Sequence, residues 1–456
     1  MLNHLKRFAQ ILPPSSILTD INAIQPYITD YQKHLKPLGS LVLKPNNTSH
    51  LSQILSYCNT HKIPIVPQGG NTGLVYGSVP LRDEIVISLS SMNKIESFDA
   101  SSSIVTAESG VILQTLEQYL AQYSQTIPLD LASKGSCQLG GVISTNAGGI
   151  RLLRYGSLHN NVIGLEVVTA KGEVLNLMSQ MRKDNTGYSL KNLFIGAEGT
   201  LGIISKVSML TVPKYRSKQV ILLAVTRFED IQTILELSRA KLGEILSAFE
   251  FFDSTCLKLL LKSGFTNPFS TVAPYYLLIE TLGSNVEHDY QKLTEMFESL
   301  TEKNLITDGT LAQNETQVTS LWRYREEISS LLSNFGHVYK YDISVPLNDF
   351  QKLPNMLKTA FPFAQVISFG HIGDSNLHLN LITPTFNVAD KEQFDKFVYD
   401  YVINVQGSIS AEHGLGSLKN RYLPQIKSEE VINYYQQLKR MFDPNGILNP
   451  GKMLPY

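Results

Sequence analysis

The stretch Gly370-His371-Ile-Gly-Asp374-Ser-Asn376-Leu-His378-Leu-Asn380 carries two imidazoles around a polar turn, and Ser410-Ala-Glu412-His413-Gly414 sets an acid beside a third. Two His and one Glu form a donor set that can hold a catalytic divalent metal and leave positions open for a substrate oxygen. The alternative is that His371 and His378 are satisfied core or surface side chains, and spacing alone does not separate the two. Asp374 competes as a ligand, although an Asp placed between glycine and serine more often bonds the backbone of its own turn. The alternation Leu377-His378-Leu379-Asn380-Leu381 puts His378 and Asn380 on one face of an expected strand.

A second candidate is a carboxylate clamp. In the helix expected over Val318–Leu332, Leu321, Ile328 and Leu332 form an apolar stripe, and Arg325 falls within it. A guanidinium pointing inward is costly to desolvate unless an anion meets it, and Arg grips a carboxylate through two parallel donors. Ser329, one turn on, shares the face of Arg325. Lys340 lies in a strand-like segment where Val338, Lys340 and Asp342 share a face. The alternatives are an internal salt bridge from Arg325 to Glu326, Glu327 or another helix, and for Lys340 a solvated face or a pair with Asp342.

Three glycine-dense loops could bring backbone close to a flat polar ligand. Pro67-Gln68-Gly69-Gly70-Asn71-Thr72-Gly73 follows a strand-like run, and its N–H groups can turn inward as a nest for a diphosphate. The second runs from Lys134 to Gly149 and contains Gly135, Ser136, Gly140, Gly141, Ser144, Thr145, Asn146 and Gly148; the third is Gly196-Ala-Glu198-Gly199-Thr200-Leu-Gly202-Ile203. Any one of them could be a plain turn between strands. None is a Gly-x-Gly-x-x-Gly joining strand to helix, so a nicotinamide-type site has no support.

The elements that must position these residues read as α+β. A helix carrying Leu51, Ile54, Leu55 and Cys58 leads into a strand at Ile63–Val66; further strands are expected at 84–89, 103–107, 164–169 and 202–210, with a helix at Leu113–Leu120. Near Pro213-Lys-Tyr-Arg-Ser217 the glycine-rich text ends and a new alternation starts with Val220–Val225, which marks a boundary. An amphipathic helix at Val431–Phe442 and a Pro/Gly tail close the sequence.

At 456 residues and 43% hydrophobic, the chain suits two to three cores of ordinary globular type. Lys+Arg 39 against Asp+Glu 40 gives a net charge of -1, so no global field would draw in nucleic acid or an anionic membrane. No apolar window is long enough for a membrane span, and the opening from Met1 to Pro14 lacks a signal-peptide core, which makes the cytoplasm the expected compartment. Cys58, Cys137 and Cys256 are isolated and odd in number, so a metal would have to use His and carboxylate.

In order and spacing, the Pro67–Gly73 loop, Pro128-Leu-Asp130 to Gly149, Arg154-Tyr155-Gly156-Ser157, Lys183-Asp-Asn-Thr-Gly-Tyr188 and Gly196–Ile204 resemble the flavin-binding half of the vanillyl-alcohol-oxidase-type FAD flavoproteins. Gly370–Asn380, Ser410–Gly416 and Phe442-Asp-Pro-Asn-Gly-Ile-Leu-Asn449-Pro-Gly451 resemble their D-2-hydroxyacid dehydrogenase branch. Within it, Pro128-Leu-Asp-Leu-Ala-Ser-Lys134-Gly-Ser and Arg182-Lys-Asp-Asn-Thr-Gly-Tyr are most similar to the members acting on D-2-hydroxyglutarate. The resemblance implies an α+β fold: an FAD-binding domain of PCMH type with a lead-in over 1–212, a substrate (cap) domain over 213–405, and a C-terminal helical segment over 406–456 that packs back on the FAD domain.

It further implies that Pro67, Gln68, Gly69, Gly70, Asn71, Thr72 and Gly73 hold the FAD diphosphate. Gly135, Ser136, Gly140, Gly141, Ser144, Thr145, Asn146, Gly148, Gly149, Tyr155, Gly156, Glu198, Gly199, Gly202, Ile203 and Asn449 would line the rest of the cofactor. The first loop has no His, so the FAD is expected to be non-covalent. His371, His378 and Glu412 match the ligands of zinc or another divalent metal, His413 the catalytic base, and Arg325, Ser329, Lys340 and Asn380 the substrate positions; Ser329 stands where near relatives carry Thr. The implied reaction oxidises a small D-2-hydroxy acid, D-2-hydroxyglutarate and also D-malate, with an electron-transfer flavoprotein or a quinone as electron acceptor. No transmembrane segment is expected, and a homodimer is open. The alternatives are a D-lactate dehydrogenase of the same branch and a flavin-binding subunit of a multi-chain glycolate oxidase.

Overall fold

The computed structural model describes residues 4–33, 35 and 38–455, so Met1, Leu2 and Asn3 of the opening stretch lie outside the described residues. The chain divides into two compact units, the first Met1–Gly149, Gly156–Lys214 and Glu412–Tyr456, the second Ile150–Tyr155 and Tyr215–Ala411. The sequence led us to expect limits at 213 and 405. Local anchoring explains where the units change instead. Arg151 pairs with the buried Glu280, and the guanidinium of Arg154 donates to the Leu282 carbonyl, which ties Ile150–Tyr155 to the second unit. At the other end the bridge Ser344↔Ser408 and the Ala411 N–H on the Asp342 carbonyl (3.4 Å) keep residues up to 411 on that unit's sheet.

In the first unit, the helix Thr48–Thr60 begins where the Asn47 side chain accepts the His50 N–H at 2.8 Å, and Leu51, Ile54, Leu55 and Cys58 on one face are fully buried. Strand β1 (Ile65–Gln68) pairs in parallel with Ile85–Ser88 in a small sheet. A second sheet is antiparallel, with the spatial order Ile95–Asp99, Ile104–Glu108, Ile203–Leu210, Val162–Val168, Val174–Leu177. Helix α1 (Leu139–Ser144) lies in the middle glycine loop. The tail after the helix Glu429–Phe442 returns to β1: Ile65 N–H donates to the Ile447 carbonyl and Asn449 N–H to the Ile65 carbonyl, both at 2.8 Å. Asp443 fixes that turn by accepting the N–H groups of Ile447 and Leu448 at 2.9 and 2.8 Å.

The second unit is built on one antiparallel sheet. In chain order its strands are β2 (Ser217–Val225), β3 (Leu246–Asp253), β4 (Tyr275–Gly283), β5 (Asp308–Leu311), β6 (His337–Ser344), β7 (Gln365–His371) and β8 (Asn376–Thr383), and in space they run β5-β2-β4-β3-β7-β8-β6. On one face Val220, Leu222, Ala248, Phe252, Tyr276, Leu278, Ile367 and Phe369 form a core with helix α2 (Glu315–Glu326) and the short helix α3 (Ile328–Leu331). Each fully buried Leu or Ile there contributes roughly 1.5–3 kcal/mol. The helix expected to run unbroken from Val318 to Leu332 is interrupted at Glu327. Two serines follow, and the Ser330 hydroxyl donates to the Glu327 carbonyl at 2.9 Å, a side-chain bond that competes with the helical ladder. The apolar stripe survives the break, with Leu321, Ile328 and Leu332 all buried.

The three cysteines are free and buried. Among the described residues no helix is long and apolar enough to cross a membrane.

Candidate active site

The first unit assembles a cradle from the glycine loops. A Cβ at Gly70 would collide with the Ser136 carbonyl oxygen, and one at Gly199 would meet Pro67 Cγ at 2.5 Å, so the loops approach as only glycine permits. The Gly196 N–H donates to the Ile143 carbonyl at 3.0 Å and the Glu198 N–H to that of Ser144 at 2.7 Å, which joins the third loop to the second. Asn71, Asn146, Glu198 and Asn449 all hold positive φ. Asn449 bridges two parts of the cradle, its amide donating to the carbonyls of Gly77 (2.9 Å) and Glu198 (2.8 Å).

Several of the expected cofactor residues spend their side chains on this scaffold. Gln68 Nε2 donates to the carbonyls of Tyr27 and Ser78, both at 2.7 Å, and Asn71 Nδ2 to that of Thr29 at 2.8 Å. The Glu198 carboxylate accepts the N–H groups of Leu415 and Gly416 at 2.7 and 2.8 Å. Burial pushes the Glu198 carboxyl up, against those donors and the charges of Lys419 and Lys452. Thr145 returns its hydroxyl to the Gly141 carbonyl at 3.1 Å. What the loops leave for a ligand is mostly backbone, with Gly73 facing open space and, among the described residues, buried Gln138 Oε1, Asn146 Oδ1 and Ser109 Oγ lacking hydrogen-bond partners. Orphaned polar atoms beside backbone-lined space fit a polar, flat cofactor such as FAD. Tyr155 belongs with the second unit and Gly156 with the first.

Also in the first unit, Glu412 and His413 are half-buried, and Glu412 Oε1 accepts the Gly149 N–H at 3.0 Å. Lys452 is buried, donating to the Val79 carbonyl at 2.6 Å and to Asn449 Oδ1 at 2.8 Å. Burial lowers its ammonium to about 7, against the opposing charges of Glu84 and Glu198.

In the second unit the expected residues gather on the sheet face that carries the apolar core. Register sets Lys340 opposite Asn380 and Asp342 opposite His378 across β6–β8, and Phe369 opposite His378 across β7–β8. The rings of His371 and His378 lie 5.2 Å apart between centroids, nearly perpendicular. His371 Nδ1 meets Glu250 at 2.8 Å, and His378 Nδ1 faces Asp342 Oδ1 at 3.7 Å. The carboxylate hydrogen-bonded at His371 Nδ1 favours the tautomer with the proton there and Nε2 suited to a metal, while Asp342 stands farther from His378 Nδ1. The pair therefore fits a divalent cation.

Arg325, 7% exposed, makes its ion pair with Glu250 at 2.9 Å, and stands 4.9 Å above the Phe369 ring. The helix neighbour Glu327 is taken instead by Arg323. Among the described residues the buried Arg325 Nε and Nη2 have no hydrogen-bond partner, the contact of Nε with Glu250 being an ion pair. Burial alone would raise the Glu250 carboxyl, but His371 and Arg325 more than reverse this and hold it below its usual range. Asn380 is buried, whereas Lys340 and Ser329 are exposed, and among the described residues the Lys340 ammonium has no ion pair or hydrogen bond. Asp374 lies in a short 3-10 turn, Ile372–Asp374, after His371.

Glu250 and the role of Asp342 were not found from sequence. The available signal was a lone acid inside the apolar run Leu246-Ser-Ala-Phe-Glu250-Phe-Phe252, where a charge must have partners.

Residues 214–453 match the family described as FAD linked oxidases, C-terminal domain, and residues 39–178 the FAD binding domain. A protein of Arabidopsis thaliana named D-2-hydroxyglutarate dehydrogenase, mitochondrial, is 45% identical over 98% of this chain and 81% of its own length. The chain belongs to the D-2-hydroxyglutarate dehydrogenase family of FAD-linked oxidases. Members of this family of FAD-linked oxidases are not uniformly named: a Schizosaccharomyces pombe relative, 45% identical over 95% of this chain and 85% of its own length, is called a putative D-lactate dehydrogenase, mitochondrial. Among solved structures, an alkyldihydroxyacetonephosphate synthase superposes with a TM-score of 0.77 at 18% identity, over 99% of this chain and 84% of its own, which establishes the shared fold. The chain is thus an FAD-dependent oxidoreductase of the expected α+β class.

The relatives' names overturn the expected cytoplasmic location, since both are named as mitochondrial. That expectation rested on the lack of an apolar leader and span. Neither bears on mitochondrial import, which uses amphipathic, Arg-rich segments.

Proposed function

We propose that this chain oxidises D-2-hydroxyglutarate to 2-oxoglutarate. The observation that carries the reading is the buried Arg325 guanidinium with its unpartnered Nη2, on the sheet face that also presents His371, His378, Asn380 and the Lys340 ammonium. Two cations beside a pair of imidazoles suit a dicarboxylate whose hydroxyl is to be activated. The name of the Arabidopsis relative supports the same substrate.

In this reading the three glycine loops and Asn449 hold non-covalent FAD, and His371, His378 and Glu412 hold zinc or another divalent ion. When bound, FAD would supply a hydride acceptor and the ion would supply charge that makes the substrate hydroxyl more acidic. His413 takes the hydroxyl proton as general base, an imidazole being basic near neutral pH. Arg325 and Lys340 grip the carboxylates, while Ser329 and Asn380 add hydrogen bonds. An electron-transfer flavoprotein or a quinone receives the electrons, and a homodimer is compatible with the reading.

Single-turnover bleaching of the flavin with D-2-hydroxyglutarate, D-malate and D-lactate tests the substrate. The dicarboxylates should reduce the flavin at least about tenfold faster at equal low concentration, one charge-assisted contact being worth about that factor. Preference for D-lactate would instead favour the activity in the name of the Schizosaccharomyces pombe relative.

A further inference from the structure

We infer that Glu250 is a positioning residue that ties the metal-binding imidazole of His371 and the carboxylate clamp of Arg325 to one fixed point; the inference rests on the function proposed above and deepens it. Glu250 stands on β3, the middle strand of the sheet, and is 1% exposed. The pairing Phe251↔Gly370 and Phe252↔Phe369 runs on to set Glu250 opposite His371. His371 Nδ1 lies 2.8 Å from both carboxylate oxygens, and Oε2 also stands 2.9 Å from Arg325 Nε in an ion pair, so one carboxylate serves two elements.

A buried charge of this kind is a weak source of stability, since well-packed apolar groups of similar size usually do as well. Its geometry gives it another role. By meeting Nδ1 it turns the His371 ring and reserves Nε2 for the ion, as carboxylates behind metal-bound histidines do. By pairing on the Nε side it fixes the guanidinium, whose Nη2, buried and without a hydrogen-bond partner among the described residues, stays available to a carboxylate. The two groups that would grip opposite ends of a 2-hydroxy dicarboxylate are therefore spaced by a single side chain. Asp342 stands behind His378 at the longer distance of 3.7 Å, and its Oδ1 accepts Asn376 Nδ2 at 2.8 Å. Glu250 thus links ion and clamp.

The test compares the full-length FAD-loaded protein with Glu250→Gln, Glu250→Asp and His371→Ala. Zn2+ affinity is read by equilibrium dialysis, and kcat and KM are measured with D-2-hydroxyglutarate and D-lactate. Gln keeps the volume but must turn an N–H towards one of two donors. It should weaken Zn2+ binding about 10–100-fold and raise KM for D-2-hydroxyglutarate by at least about tenfold more than KM for D-lactate, which has no second carboxylate to lose. Glu250→Asp, which keeps the charge, should recover part of both, and covers the case in which the Gln variant does not fold. Wild-type Zn2+ affinity and unchanged substrate preference in the folded Glu250 variants, alongside loss of Zn2+ in His371→Ala, overturns the inference and leaves the metal reading standing. Undiminished Zn2+ in His371→Ala overturns the metal reading and the inference with it.

Discussion

The two units build their candidate sites from different materials. In the first, side chains such as Gln68, Asn71 and Glu198 are consumed in holding loops together, Gly70 and Gly199 let those loops approach, and backbone at Gly73 faces open space. In the second, strands supply a flat apolar platform on which the candidate site gathers the side chains of Glu250, Arg325, His371, His378, Asp342 and Asn380. A backbone-built cradle depends on conformations that few residue types can adopt, so its damage should appear as lost cofactor. A side-chain-built site depends on charge and proton placement, so its damage should appear as lost rate with the cofactor still present.

The contrast can be pressed hardest at His413. Replacement by Asn should leave the flavin spectrum and content unchanged while slowing flavin reduction in stopped flow by about a hundredfold or more, the usual scale for a lost general base; a near-normal rate would remove it from that role. Gly70→Ala should do the reverse. Its Cβ would meet the Ser136 carbonyl, and flavin content per chain after gel filtration should fall severalfold, with a stability loss of about 2 kcal/mol in urea melts. Full flavin occupancy in that variant would break the proposed division of labour.

A milder test uses Lys340, which is exposed and can be changed without disturbing the core. Lys340→Met should raise KM for D-2-hydroxyglutarate about tenfold, leave the melting temperature within error, and change D-lactate turnover less. A last test, of stability and not of turnover, concerns Lys452, whose folded-state value of about 7 lies below the ordinary lysine range. The unfolded chain keeps that proton to higher pH, so between about pH 7 and 10 the unfolded state binds more protons and stability rises with pH. The slope is up to ~1.4 kcal/mol per pH unit from this group, and Lys452→Met should remove it. Equal pH slopes in the two proteins would show that the amine titrates as an ordinary lysine.

Much of the scaffold was legible in the sequence because its signals are local. The helix under Leu51–Cys58, the strand run at Val220–Val225 and the alternation through His378 and Asn380 follow from periodicity, and the folded elements carry those residues. Arg325 does point inward, as its stripe demanded. Its partner was not legible: nearby acids in sequence were considered, whereas Glu250 comes from a strand seventy-five positions earlier, brought in by sheet pairing. Lys340 and Asp342 do share a face, yet Asp342 is directed to Asn376 and His378. Alternation in one strand gives the face and says nothing of which neighbour strand will lie beside it. The break at Glu327 was missed because two serines weigh little in a helical pattern until one hydroxyl finds a carbonyl.

The return of Ile447 and Asn449 to the edge of β1 has a consequence for biosynthesis. Residues near 65 leave the ribosome before the entire second unit and those near 449 after it. The first unit therefore cannot reach its final form during translation of its own opening segment, and that early strand must wait, solvent-facing or shielded by a chaperone, until the closing turn emerges.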